Sequence, residues 1–151
     1  SDIEAAAECS GPPFFMERSG GMKIMVCFDG STVSEEAVRL AGVHAGALGG
    51  KVIIVTSMVG GPEVARREFV SKERELAYAA SLLGDIAPKP EVHLSIRGMD
   101  PGEDLVRFAA ENDVQEMVLG LRRRSKVGKL LFGSTAQYVI LHAPCPVVTV
   151  R

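Results

Sequence analysis

Two segments bring together residue types that could do chemistry. The first is Asp29-Gly30-Ser31-Thr32, directly after the apolar run Lys23–Phe28. An aspartate in that position can contact a ribose hydroxyl, a base edge or a metal ion. Equally, Asp followed by Gly can simply form a strand-to-helix turn, and both readings stay open at this level. Enzymes that use such an aspartate need company. A receiver domain carries its phosphorylated aspartate after the third strand, where Ile96-Arg97 stands here; a haloacid-dehalogenase-type phosphatase needs a second aspartate two residues on, where Ser31 stands. A metal-dependent phosphatase or nuclease needs further carboxylates nearby, and none is evident.

The second segment runs from Gly120 to Thr135 and carries Arg122, Arg123, Arg124, Lys126 and Lys129 with no acidic residue. Gly120 lets the chain turn off a strand. Gly133-Ser134-Thr135 opens a helix with unshielded backbone N–H groups, two hydroxyls and the positive end of a dipole, so phosphate is the natural guest. The bland alternative is a solvated basic loop that balances charge elsewhere. Gly128-Lys129 is not a Walker A loop, because Arg123 stands where its first glycine belongs and Leu130 where Ser or Thr must follow. No G-x-G-x-x-G follows a strand either.

These segments must be held by regular elements. From Lys23 onward, apolar runs alternate with longer amphipathic stretches, the pattern of strands and helices around a parallel sheet. Strands are expected at Lys23–Phe28, Lys51–Ser57, Glu91–Ile96, Glu116–Leu119 and Pro146–Val150, the third less buried because it alternates more. Helices are expected at Ser34–Leu48, at Pro62–Leu83, after Asp100-Pro101-Gly102-Glu103, and from Ser134 to before Ala143-Pro144. Asp100 reads as an N-cap with proline at the first helical position. The first helix should bury Ala37, Val38, Ala41, Ala45 and Leu48, and the last Ala136, Val139 and Ile140. The fold class is therefore α/β: a three-layer α/β/α sandwich around a five-stranded parallel sheet, Rossmann-like, with its crevice at the carboxyl ends of the strands. Residues 1–21 lack any sustained period and read as a disordered leader or an added segment, with Met22 as a natural start of the domain 22–151.

The whole composition limits the function classes. A net charge of −2 over 151 residues gives no global affinity for polyanions, so any anion site must be local. The basic run lacks aromatic partners and nucleic acid is not an expected ligand. Cys9, Cys27 and Cys145 have neither disulfide parity nor zinc spacing, which points to a reducing, cytoplasmic setting. No apolar run approaches the roughly 18 residues of a membrane span. His44, His93 and His142 have no partner at useful spacing for catalysis or metal binding, so neither role is expected of them. Cys27 reads as a small core residue and Cys145 as more accessible.

Taken together, the residues resemble the universal stress protein family across Met22–Arg151. The resemblance rests on Asp29-Gly30-Ser31, on a loop of the form G-x2-G-x9-G-(S/T), and on a final strand beginning Pro146-Val147. Here the loop reads Gly120-x2-Arg123-x9-Gly133-Ser134, with Arg123 in place of the second glycine. The resemblance implies an adenine-nucleotide-hydrolase-like fold and ATP, with Mg²⁺ or Mn²⁺ held by its phosphates. It implies binding through Asp29, Gly30, Ser57, Gly120, Arg122, Arg123, Gly133, Ser134 and Thr135, with Ser57 at the adenine. It also implies a homodimer in which Pro146–Val150 pairs with its copy, and a regulatory role in which any hydrolysis or self-phosphorylation is slow. The alternative it leaves is a nucleotide-free dimeric interaction module whose phosphate loop Arg123 closes.

Overall fold

The computed structural model describes residues 21–61, 65–122 and 132–151. Nine elements follow one another: β1 (Lys23–Cys27), α1 (Thr32–Leu48), β2 (Lys51–Met58), α2 (Arg66–Ser81), β3 (Glu91–Ile96), α3 (Pro101–Glu111), β4 (Glu116–Gly120), α4 (Ser134–His142) and β5 (Val147–Val150). All strands are parallel, in the order β3-β2-β1-β4-β5. The expected class and element order are those observed. Boundaries move by a few residues: α1 starts earlier than Ser34 because Ser31 caps it, and α2 is described only from Arg66, so Pro62 falls outside the described residues.

The sheet is covered on both faces because its central strands carry unbroken apolar runs, Ile24–Cys27, Val52–Val55 and Met117–Leu119. Alternation sends Ile24, Val26, Val52, Ile54 and Val118 to one face, against Ala37, Val38 and Ala41 of α1 and Leu76 and Ala79 of α2. Met25, Ile53, Val55, Met117 and Leu119 go to the other, against Leu105 and Ala109 of α3 and Val139 of α4. β3 is an edge strand in which only Ser95 is buried, and a Lys51–Glu91 ion pair ties it to β2.

Two expected core positions lie outside. Leu48 ends α1 before the left-handed Gly49 and is half exposed, and Ile140 is 40% exposed. Only Val139 of α4 is fully buried, and Ile140 and Leu141, each turned about 100° further round the helix, face away. Gly120 also differs from expectation. Its backbone is not left-handed; a Cβ there would sit 2.7 Å from Val33 Cγ1 and 2.8 Å from the Val33 backbone, so glycine is needed for the close approach of β4 to α1.

Candidate functional site

Strand order reverses between β1 and β4, and a cleft of about 290 Å³ opens there, at the carboxyl ends of the strands. Its wall divides chemically. Cys27, Phe28, Pro101, Leu105 and Leu119 make an apolar side, while Arg122, Gly133, Ser134 and Thr135 make a polar one.

The polar side is built by the start of α4. Gly133 is its N-cap and has no side chain with which to cap, so the first-turn N–H groups stay available to an anion, with the helix dipole behind them. The Gly133 carbonyl accepts from the Gln137 N–H at 3.0 Å, which fixes the turn. α4 is carried against α3, and Gly102 makes the contact possible: a Cβ there would lie 2.8 Å from Tyr138 Cβ.

Asp29 gives its two oxygens to different partners. Oδ1 accepts from the Ser31 N–H at 2.9 Å and from the Ser31 hydroxyl at 2.5 Å, forming the turn into α1. Ser31 Oγ in turn accepts from the Ser34 N–H at 3.2 Å and so caps the helix. Oδ2 faces the cleft mouth and accepts from an Arg122 Nη at 2.8 Å. Burial would raise the Asp29 pKa, but hydrogen bonds from Ser31 and Ser34 and the Arg122 charge outweigh it, holding the carboxyl below its ordinary range. Gly30, with φ +83°, completes the turn beside Glu75 and does not line the cleft.

Ser57 lines the cleft at the end of β2 and donates its hydroxyl to Asp104 Oδ2 at 2.5 Å. Asp104 is fully buried. Its Oδ1 accepts from Arg97 Nε at 2.6 Å, and its backbone carbonyl accepts from an Arg97 Nη at 3.3 Å. Arg97 also reaches Glu111 at 2.8 Å. Desolvation pushes the Asp104 carboxyl up, but hydrogen bonds from Ser57, Ser95 and Arg97 and the Arg97 charge win, and its pKa lies below the ordinary value. Asp104 and Arg97 were absent from the residues singled out in the sequence. The available signal was an acid directly beside Leu105, on the stripe by which α3 meets the sheet.

Of the expected site residues, the structure brings Asp29, Ser57, Gly120, Arg122, Gly133, Ser134 and Thr135 to one cleft. Arg123, with Arg124, Lys126 and Lys129, lies outside the described residues. Cys27 packs against the core, as expected, and also lines the cleft at the end of β1. Burial, with the fields of Cys145 and Asp29, pushes its thiol up to about 12; Cys145 is pushed to about 11, mainly by burial. Neither is an activated thiol. His44 finds a partner 72 residues away, its Nδ1 lying 2.5 Å from Glu116 Oε1. Among the described residues no group of three or more His, Cys, Asp or Glu side chains could hold a metal ion, and no helix is long and apolar enough to cross a membrane.

Comparison with known proteins agrees with this architecture. The model of the universal stress protein family matches residues 22–151. A Thermus aquaticus protein, "universal stress protein in QAH/OAS sulfhydrylase 3'region", is 31% identical over 137 residues, covering 85% of this chain and 97% of the relative. Among solved structures, the universal stress protein from Archaeoglobus fulgidus in complex with dAMP is 33% identical, with TM-score 0.75, covering 86% of this chain and 98% of its own. A universal stress protein in complex with cAMP is 26% identical, with TM-score 0.71, covering 88% and 99%.

Proposed function

The chain belongs to the universal stress protein family, and from that premise we propose that it binds an adenine nucleotide, with ATP as its ligand in a cytoplasmic setting, and uses occupancy as a regulatory signal. The observation that carries this reading is the division of the cleft. An apolar side of Phe28, Pro101, Leu105 and Leu119 suits the faces of a base, and the uncapped start of α4 with Arg122 suits phosphate oxygens. Related proteins whose structures are in complex with dAMP and cAMP support a nucleotide in this fold.

In this pose the base lies toward Ser57 and the phosphates toward Ser134 and Thr135. Arg122 exchanges its exposed pairing with Asp29 for a phosphate, which releases Oδ2 of Asp29 to accept from a ribose hydroxyl. Mg²⁺ or Mn²⁺ is carried by the phosphates, since no protein cluster in the described residues is built for it.

Acid extraction of the purified protein followed by nucleotide chromatography tests for carried ligand, and a thermal shift tests for added ligand. At a hundredfold excess over Kd, Mg·ATP should raise the melting temperature by roughly 5–10 °C. Absence of both signals contradicts the reading.

The same family premise supports a homodimer through β5. Among the described residues this four-residue strand pairs with β4 on one side only, and Leu141, 76% exposed, stands near the end of the preceding helix. A short apolar edge invites a second copy.

A further inference from the structure

We propose that Ser57, held as a hydrogen-bond acceptor toward the cleft by the buried Asp104, makes the site select 6-aminopurine nucleotides over 6-oxopurine nucleotides. The proposal rests on the adenine-nucleotide reading above and adds to it the residue that chooses the base.

A serine hydroxyl has one proton and two lone pairs, and in most pockets it rotates to suit its guest. Ser57 lacks that freedom. Its oxygen lies 2.5 Å from Oδ2 of Asp104, a fully buried carboxylate whose other oxygen receives Arg97 Nε at 2.6 Å. Paired with a guanidinium, that carboxylate is ionised and can only accept, so the proton between the two oxygens must be the serine's. Turning the hydroxyl toward the cleft would take one donor from a buried carboxylate and leave it Ser95 and Arg97. Ser57 therefore presents lone pairs to whatever occupies the cleft.

Position along the cleft decides which part of the ligand meets those lone pairs. Ser57 is on β2 and the phosphate-side residues follow β4, with β1 between them, a separation of two strand spacings or roughly 10 Å. With phosphate at the start of α4, the sugar spans β1 near Asp29 and the base reaches Ser57 between Pro101 and Leu105. A 6-amino group brings a hydrogen to the serine oxygen. A 6-oxo group brings a second lone pair, and the contact becomes repulsive.

The test compares AMP with IMP, which differ at this position and keep the same phosphate and ribose, by titration calorimetry on the full chain. Wild-type protein should bind AMP at least about tenfold more tightly than IMP. Ser57→Ala should bring the two affinities within about threefold, and Ser57→Thr, which keeps the hydroxyl, should retain the preference. Equal affinities in the wild type overturn the proposal while leaving nucleotide binding standing. A preference that survives intact in Ser57→Ala also overturns it. If neither nucleotide nor Mg·ATP binds, the adenine-nucleotide reading itself fails and takes this inference with it.

Discussion

At the scale of single residues, two acid–arginine pairs of opposite kind bear on the cleft, Asp29–Arg122 in its wall and Asp104–Arg97 behind Ser57. Arg122 and Asp29 are both about half exposed, so their pairing adds little to stability and is free to be exchanged. Arg122→Ala should change the unfolding free energy by no more than about 0.5 kcal/mol. The same substitution should weaken nucleotide binding by about tenfold, because a charged hydrogen bond to phosphate is lost. Denaturant titration and calorimetry on one preparation separate the two effects. Asp104 is structural. Removing its charge in Asp104→Asn leaves Arg97 with Glu111 but strips a buried network, and should cost about 2 kcal/mol in chemical unfolding.

The pH dependence of Asp104 follows from the direction of its shift. A carboxyl whose folded pKa is depressed contributes stability that is complete above its unfolded value, near 3.8, and is lost as pH falls through the lower folded value. The wild type should therefore lose more stability than Asp104→Asn on acidification below about pH 4. Parallel unfolding profiles for the two proteins would contradict that assignment. Sequence made Asp29 visible because its partner Ser31 is two residues away. It did not make Asp104 visible, because Ser57 is 47 residues away on another element and helical periodicity says nothing of what an acid on the buried stripe will meet.

At the scale of elements, α3 and α4 form one wall of the cleft, and its width is set where they touch. Gly102→Ala would drive a methyl into Tyr138 Cβ, an atom that cannot move without α4. It should destabilise the fold by about 1–3 kcal/mol and weaken nucleotide binding, whereas Asp100→Ala, which removes only the cap bond to the Gly102 N–H, should cost about 1 kcal/mol and leave binding largely intact. The order of elements was legible in the alternation of apolar runs with amphipathic stretches, and the start of α3 in Asp100-Pro101 alone. The reason for Gly120 was not, because its neighbour Val33 belongs to another element, and only the assembled sheet brings it close. Ile140 misled for a related reason: periodicity marks an apolar stripe, but α4 buries only the part of it that finds an element to cover it.

At the scale of the whole molecule, the sheet ends in β5, which among the described residues pairs with β4 alone. The carbonyls of Pro146 and Val150 accept from the Met117 and Leu121 N–H groups, so by alternation the Val147 and Thr149 backbone groups point away from the chain's own sheet. Light scattering at micromolar concentration should give a dimer, and Thr149→Pro, which deletes an outward N–H, should shift it toward monomer with the fold retained. A wild-type monomer would contradict the dimer.

Whether the cleft is a nucleotide site is measured most directly by calorimetric titration of the nucleotide-free full chain with Mg·ATP. Saturable binding of one nucleotide per chain is expected, weakened about tenfold by Arg122→Ala. No saturation in wild type, with binding appearing in Arg123→Gly, would contradict it and leave a nucleotide-free interaction module whose loop the arginine closes.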